Sequence, residues 1–414
     1  MKYATRILGL LLLGSAAPLL AQTPDLQVSI GQPEHGNIKI SPSPNHNGTL
    51  PAGTLITVEA SPDAGYQLDS VYHADPGIFG LMYLESMQSP LQFTLTEDTT
   101  VGALFLPQTE FAGYKLISDV VFAQPGVKPL KYDVWTPANV STPLPLALII
   151  HGGGWAANNE DIMRGMAREI VRTGRYVAVS IDYRWAGTGD GDVTGNSMTD
   201  IINDVFGAIA HIQEHAATYS ADPAKIAVTG DSAGGHLAAV AITLSHRIGD
   251  RGFGLTPGIF EFLPSYLPEG KSVVRVRDEI VAAIQVGAPS YGVFSDNAYG
   301  GRAALQHYSG NPAADASWSA AIAPINDVPD ISERAVPQYF VRGTVDPLIQ
   351  DIMVSDFVQA LQARGQHAVY DQVEGASHAF YDWKPDAQTR ATFAQYGVPY
   401  IAEMVAFFDA IYYP

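Results

Sequence analysis

From about Phe111 onward the sequence repeats one pattern. Short apolar runs alternate with amphipathic stretches of helical period. "PLALIIH" precedes "EDIMRGMAREIVRTG", then come "YVAVSID", "MTDIINDVFGAIAHIQEHA", "KIAVTG" and "SAGGHLAAVAITLSH". "EIVAAIQVGA", read as the next strand, is followed by "PQYFVRG", "QDIMVSDFVQALQARG" and "HAVYDQVEG", and a helix closes the chain through "PYIAEMVAFFDAIYY". Apolar runs this short, with no polar face of their own, are strands covered on both sides. The order strand–helix–strand therefore predicts an α/β fold, a doubly wound and mostly parallel sheet with helices on both faces. "YKLISDVVFA" and "LKYDVWTP" read as a pair of strands leading into it.

Residues 25–107 have a different texture. "NIKISPS", "GTLITVEASPDAGYQL" and "LQFTLTEDTTVGALFL" alternate apolar and polar positions between Gly- and Pro-containing turns, which predicts a small all-β module. "EDTT" reads as a turn joining the last two strands into a hairpin. Ahead of the module, Lys2 and Arg6, the run "ILGLLLLGSAAPLL" and the small-residue point Ala21-Gln22 read as a signal peptide over 1–21. The run falls short of the roughly 20 apolar residues of a spanning helix, so export to the periplasm or beyond is expected rather than a membrane anchor. The expected layout is thus a leader at 1–21, a β module at 25–107 and an α/β domain at 111–414.

In open parallel sheets ligands sit beyond the carboxyl ends of the strands. "PLALIIH" runs into "HGGGW" (His151–Trp155), "KIAVTG" into Asp231-Ser232, "PQYFVRG" into "TVDPL" with Asp346, and "HAVYDQVEG" into "ASHAF" with His378. A serine hydroxyl is a weak nucleophile that needs a base to take its proton. A tight strand-to-helix turn exposes it above the sheet, and Gly230 and Gly234 flank it because a side chain there would crowd the turn. The same turn opens a helix, whose unpaired N–H groups face developing negative charge. The Ala233 amide is the expected first donor to a tetrahedral oxyanion, and Gly153 and Gly154 are the expected others. Asp346 would hold the His378 imidazole in the tautomer that accepts the serine proton.

Each signal alone has a structural reading. Ser232 is also a helix N-cap, Asp346 a turn residue beside Pro347, His378 one of 11 histidines, and HGGG a flexible turn. Their joint occurrence after successive strands, in the order serine, aspartate, histidine, favours chemistry.

Residues from about Tyr114 to Tyr413 resemble α/β-hydrolases, and among them the hormone-sensitive-lipase-like carboxylesterases. "HGGGW", "GDSAGGHLA", "VDPL" and "SHAF" match that family's signatures in order. The resemblance implies a serine esterase with Ser232 as nucleophile, Asp346 as orienting acid and His378 as base. It implies oxyanion donors at Gly153, Gly154 and Ala233, and no cofactor. "GGHLAA" and the export signal also resemble bacterial feruloyl and acetyl-xylan esterases. Residues around Gly36 and Ile38, "PAGTLITVEASPDAGY" and "TEDTTVGALF" resemble internalin B-repeats. His73–Gln88 is an insertion relative to that repeat, and Tyr72 stands where the repeats commonly carry Trp. The repeat implies an accessory module, where these esterases usually carry a short cap.

Two irregular stretches, Arg247–Val273 and Pro289–Trp318, are rich in Phe, Tyr, Gly and Pro and read as lids or binding loops. Trp155 is a candidate substrate-binding residue, Trp185 a structural one, and Asp231 a possible tie for the elbow. No metal site is expected: His211 and His215 are four apart on a helix but lack the glutamate of H-E-x-x-H. The chain has no cysteine, and hence no thiol nucleophile, thiolate ligand or disulfide. Its net charge of −19 argues against nucleic acid as a partner. The expected activity is hydrolysis of carboxylic esters of short-chain or aromatic acids, on small molecules or polysaccharide side chains. The rival readings are a non-catalytic binding protein on a hydrolase scaffold, or a serine peptidase or arylformamidase on the same machinery. As an ordinary imidazole base, His378 would make the rate rise through roughly pH 6–7.

Overall fold

A computed structural model describes residues 23–77, 80–250, 261–295 and 316–414. The leader at 1–21 lies outside the described residues. So do 251–260 and 296–315, which make up much of the two irregular stretches.

The β module contains β1 (Asp25–Ile30), β2 (Gly36–Ser41), β3 (Thr49–Pro51), β4 (Leu55–Pro62), β5 (Tyr66–Gly77), β6 (Gly80–Ser86), β7 (Leu91–Thr94) and β8 (Thr99–Pro107). They form one sheet in the order β3-β1-β8-β5-β6 and a second in the order β2-β4-β7. Alternation places Ile56 and Val58 of β4 and Val101, Ala103 and Phe105 of β8 in one core, with Val28, Ile40 and Val71. The expected hairpin through "EDTT" does not form. β7 pairs with β4, whereas β8 pairs with β1 and β5, so the turn carries the chain from one sheet to the other. Turn residues specify a reversal but not which neighbour the next strand joins. Within the His73–Gln88 insertion, His73–Gly77 are the distal part of β5 and Gly80–Ser86 are β6, paired antiparallel at the sheet edge.

The sheet of the α/β domain holds β9 (Tyr114–Ala123), β10 (Leu130–Pro137), β11 (Leu144–Ile150), β12 (Val177–Ile181), β13 (Ala221–Gly230), β14 (Ile284–Ala288), β15 (Gln338–Gly343) and β16 (Ala368–Val373). Its order is β16-β15-β14-β13-β11-β12-β10-β9. The strands from β12 to β16 are parallel, and β10 runs antiparallel to both β12 and β9. β11 shows how both faces are used. Leu146, Leu148 and Ile150 enter the core shared with α2 (Met198–His215), α3 (Ala233–Thr243) and α4 (Val273–Ala283). Ala147 and Ile149 enter the opposite core with α1 (Arg164–Arg172), α5 (Asp351–Ala363) and α6 (Val398–Tyr412). "EIVAAIQVGA" divides between two elements: α4 ends at Ala283 and β14 starts at Ile284. An apolar run this short fits either period, and packing decides.

The module and the sheet domain meet through buried charge. Asp69 of β5 is buried and accepts from Arg164 Nε at 2.9 Å and from Arg168, both on α1. Glu85 of β6 takes the remaining side of Arg164 at 2.6 Å. Burial alone would raise the Asp69 pKa, but the two guanidinium groups outweigh it and hold the carboxyl well below its usual range. Removing one partner from such a cluster typically costs about 3–5 kcal/mol. Met87 packs on the α1-side core, and Gln88 Nε2 donates to Ser118 Oγ at 2.8 Å. The inserted segment thus supplies Glu85, Met87 and Gln88 to the interface.

Candidate active site

β13 ends at Gly230 and α3 begins at Ala233, leaving two residues to reverse direction. Ser232 does so with φ 55° and ψ −117°, a strained conformation for a residue with a Cβ. The neighbouring glycines are required by space. A Cβ at Gly230 would lie 2.4 Å from the Gly234 carbonyl oxygen, and one at Gly234 would lie 2.0 Å from that of Ile150. The Ser232 amide donates to the Tyr291 carbonyl at 2.8 Å, which pins the elbow to the segment after β14.

His378, after β16, meets this serine: its Nε2 lies 2.9 Å from Ser232 Oγ. On its other side Nδ1 lies 2.9 Å from Asp346 Oδ2. Asp346 follows β15, and its Oδ1 accepts the amides of Leu348 at 2.8 Å and Ile349 at 2.9 Å. One carboxylate oxygen is therefore committed to backbone and the other to imidazole. For Asp346, burial would raise the pKa, but the His378 hydrogen bond and the two amides outweigh it, and the net shift is downward. For His378, burial opposes the charged form, but the hydrogen bond and charge of Asp346, with Asp231 and Asp382 behind, outweigh it. The imidazole pKa is raised above its ordinary value.

The glycine-rich loop leaves β11, the strand paired directly with β13 through Ile150 and Gly230. Gly153 has φ +118°, and a Cβ there would lie 2.3 Å from the Ala157 carbonyl oxygen. Gly154 also has positive φ. Ala233 is the first residue of α3, so its amide belongs to the helix turn without intrahelical acceptors. Trp155 is buried, edge-on to the His236 ring at 5.5 Å. Trp185 lies beneath Lys128 and donates Nε1–H to the Asn158 carbonyl at 2.8 Å. His211 and His215 stack on each other on a packed helix face, and His211 Nδ1 lies 2.8 Å from Tyr132 Oη.

Tyr291 has a role that its sequence context concealed. It is buried, its hydroxyl donates to Asp231 Oδ2 at 3.3 Å, and it accepts the Ala379 amide at 3.1 Å. Asp231 Oδ1 in turn accepts the Gly152 amide at 3.1 Å. This pair ties together the elbow, the glycine loop and the histidine turn. Burial raises the Asp231 pKa and nearby Asp382 adds to it, while His378 opposes. Asp231 could be suspected from its place beside Ser232. Tyr291 was one of many aromatics in an irregular stretch, with no local pattern to single it out.

A serine at a strained elbow, an imidazole in hydrogen-bond reach and a glycine loop on the adjacent strand, all over one doubly wound sheet, define an α/β-hydrolase fold. It carries an all-β module in front. Residues 132–256 match the BD-FAE family model, and residues 26–109 match the divergent InlB B-repeat domain. The chain is similar to carboxylesterase NlhH of Mycobacterium tuberculosis, 28% identical over 208 residues, 47% of this chain and 61% of that protein. It is also similar to an esterase of Gibberella moniliformis, 24% identical over 59% of this chain and 69% of the relative. The alignments span 61% of NlhH and 52% of the probable carboxylic ester hydrolase LipM, so each covers less than two thirds of the relative. Among solved structures, a thermophilic esterase of Thermogutta terrifontis superposes with a TM-score of 0.53 at 20% identity, covering 73% of this chain and 94% of that one. A truncated carbohydrate esterase from gut microbiota superposes with a TM-score of 0.53 at 21% identity, covering 72% and 96%. The fold is shared with both.

Proposed function

We propose that this chain is an exported serine carboxylesterase whose catalytic domain is 111–414. The Ser232–His378–Asp346 hydrogen-bond chain carries the reading, and the esterase relatives support it. In the proposed reaction Ser232 Oγ attacks the ester carbonyl carbon as its proton passes to His378 Nε2. The carbonyl π electrons move onto oxygen, and the amides of Gly153, Gly154 and Ala233 stabilise that charge. Collapse of the tetrahedral species expels the alcohol, which takes the proton from His378, and leaves an acyl–Ser232 ester. Water then attacks this ester, its proton passing to His378. The second collapse releases the acid and returns the proton to Ser232. Asp346 holds the imidazole with its Nδ1 protonated and stabilises its cationic form.

The proposed substrates are esters of short-chain or aromatic acids, on small molecules or polysaccharide side chains. The fold shared with a carbohydrate esterase from gut microbiota supports the latter source. A panel of acetyl, butyryl, longer-acyl and feruloyl esters tests this. Highest kcat/KM on acetyl or feruloyl esters is the expected result, and preference for long acyl chains would contradict it. Secretion is proposed from the leader at 1–21, and appearance of the chain outside the cytoplasm, shortened near Ala21, tests it.

A further inference from the structure

The β module touches both loops that the proposed mechanism depends on. Asp69 Oδ2, which holds Arg164, also accepts Nε1–H of Trp383 at 3.0 Å. Trp383 ends the turn that carries His378. Within that turn the Asp382 amide returns to the Ala379 carbonyl at 3.2 Å, and the Trp383 amide donates to the Ile162 carbonyl at 3.1 Å. The Trp383 ring lies over the Arg168 guanidinium at 4.6 Å and edge-on to Phe393 at 5.2 Å. Beneath it, a Cβ on Gly165 would lie 2.8 Å from Trp383 Cβ. The second tie runs to the glycine loop. The Glu85 carbonyl accepts Asn159 Nδ2 at 3.4 Å, and the adjacent Asn158 donates Nδ2–H to the Gly152 carbonyl at 3.3 Å.

These links do not suit a freely attached spacer. Arg164 is fully buried, and besides Asp69 and Glu85 it donates to Ser70 Oγ at 3.1 Å and to the Asp161 carbonyl at 2.8 Å. Three of those four partners belong to the module. A guanidinium in that position has no water to fall back on, so the α1 surface is complete only with β5 and β6 seated. One carboxylate oxygen of Asp69 then connects the α1 guanidinium to the indole at the end of the histidine turn.

We propose that the β module is a fixed brace of the catalytic centre, in which Asp69, acting through Trp383, sets the position of His378. Asp69 and Trp383 are positioning residues, neither of them meeting substrate. The inference rests on the serine esterase reading above.

Full-length Trp383→Phe tests it, because phenylalanine keeps an aromatic face over Arg168 while losing the donor to Asp69 together with part of the ring's bulk, and Asp69→Asn perturbs the same bond from the other side without changing the ring. Asp69→Asn is the second variant, and Glu59→Gln, on an exposed pair of the module, is the control. The readouts are kcat and KM on an aryl acetate, with active centres counted by phosphonate titration. The expected result for Trp383→Phe and Asp69→Asn is about a tenfold lower kcat per titrated site, with KM within twofold and slower phosphonylation. Glu59→Gln is expected to match wild type. Wild-type kcat per site in both variants would overturn the proposal. So would activity falling only in step with the number of titratable sites, since that marks a role in folding alone. If wild type neither hydrolyses esters nor reacts with phosphonate, the esterase reading fails and takes this one with it. An active wild type with unaffected variants sinks the brace alone.

Discussion

Replacing Asp346 by asparagine keeps the shape of the side chain and reverses what it says to His378. The Oδ1 position accepts two backbone amides, from Leu348 and Ile349. An asparagine must leave its carbonyl oxygen there, because turning its NH2 towards two N–H donors would forfeit both bonds. At roughly 1–3 kcal/mol per buried group left unpaired, the turned rotamer lies about 2–6 kcal/mol higher. The NH2 group then faces His378 Nδ1, which must accept. The imidazole proton is driven to Nε2, the atom 2.9 Å from Ser232 Oγ, and no lone pair remains for the serine proton. A wrong-tautomer substitution of this kind lowers kcat by about 10⁴-fold in a serine protease, equivalent to about 5.5 kcal/mol of barrier. We predict a loss of that order for Asp346→Asn, measured as kcat on an aryl acetate with an unchanged circular dichroism spectrum. A folded Asp346→Asn enzyme within tenfold of wild type would refute the tautomer argument.

Two further outcomes follow from the same geometry. His378 must be neutral to act as base, so kcat/KM rises as pH rises through its pKa. Burial pushes that pKa down, but Asp346, Asp231 and Asp382 outweigh it, so the midpoint is expected above the ordinary imidazole value of about 6.5. A pH–rate profile that is flat between pH 5 and 9, or centred lower, would count against this assignment. Gly153→Ala places a methyl against the Ala157 carbonyl in a backbone conformation that alanine resists, displacing the loop. Its kcat should fall about 10²-fold or more, with far less change in KM, and an unaffected kcat would remove Gly153 from the oxyanion role.

Much of the candidate site was legible because each of its parts is local. An apolar run followed by HGGGW, by D-S-A-G-G, by VDPL or by SHAF marks a strand end and a candidate site residue within a few positions of it. The fold was legible for the same reason: the strand and helix periods differ, and both are visible over ten residues. What stayed hidden depends on distant pairings. Tyr291 reaches Asp231 and Ala379, whose partnership no spacing announces. Asp69 meets residues 95 and 314 positions away, on Arg164 and Trp383. The "EDTT" turn was visible as a turn, yet the sheet that β8 joins is settled by its pairing with β5 and β1. The α4–β14 boundary was blurred because "EIVAAIQVGA" satisfies both periods and is divided only by packing.

Whether Ser232 is the nucleophile is decided by phosphonate labelling with mass spectrometry, in wild type and in Ser232→Ala. Wild type should gain one phosphonyl adduct on the peptide bearing Ser232 and lose its activity in step. The alanine variant should stay unlabelled, with ester turnover lower by about 10⁶-fold. An adduct on another residue, or undiminished turnover without the Ser232 hydroxyl, would contradict that role.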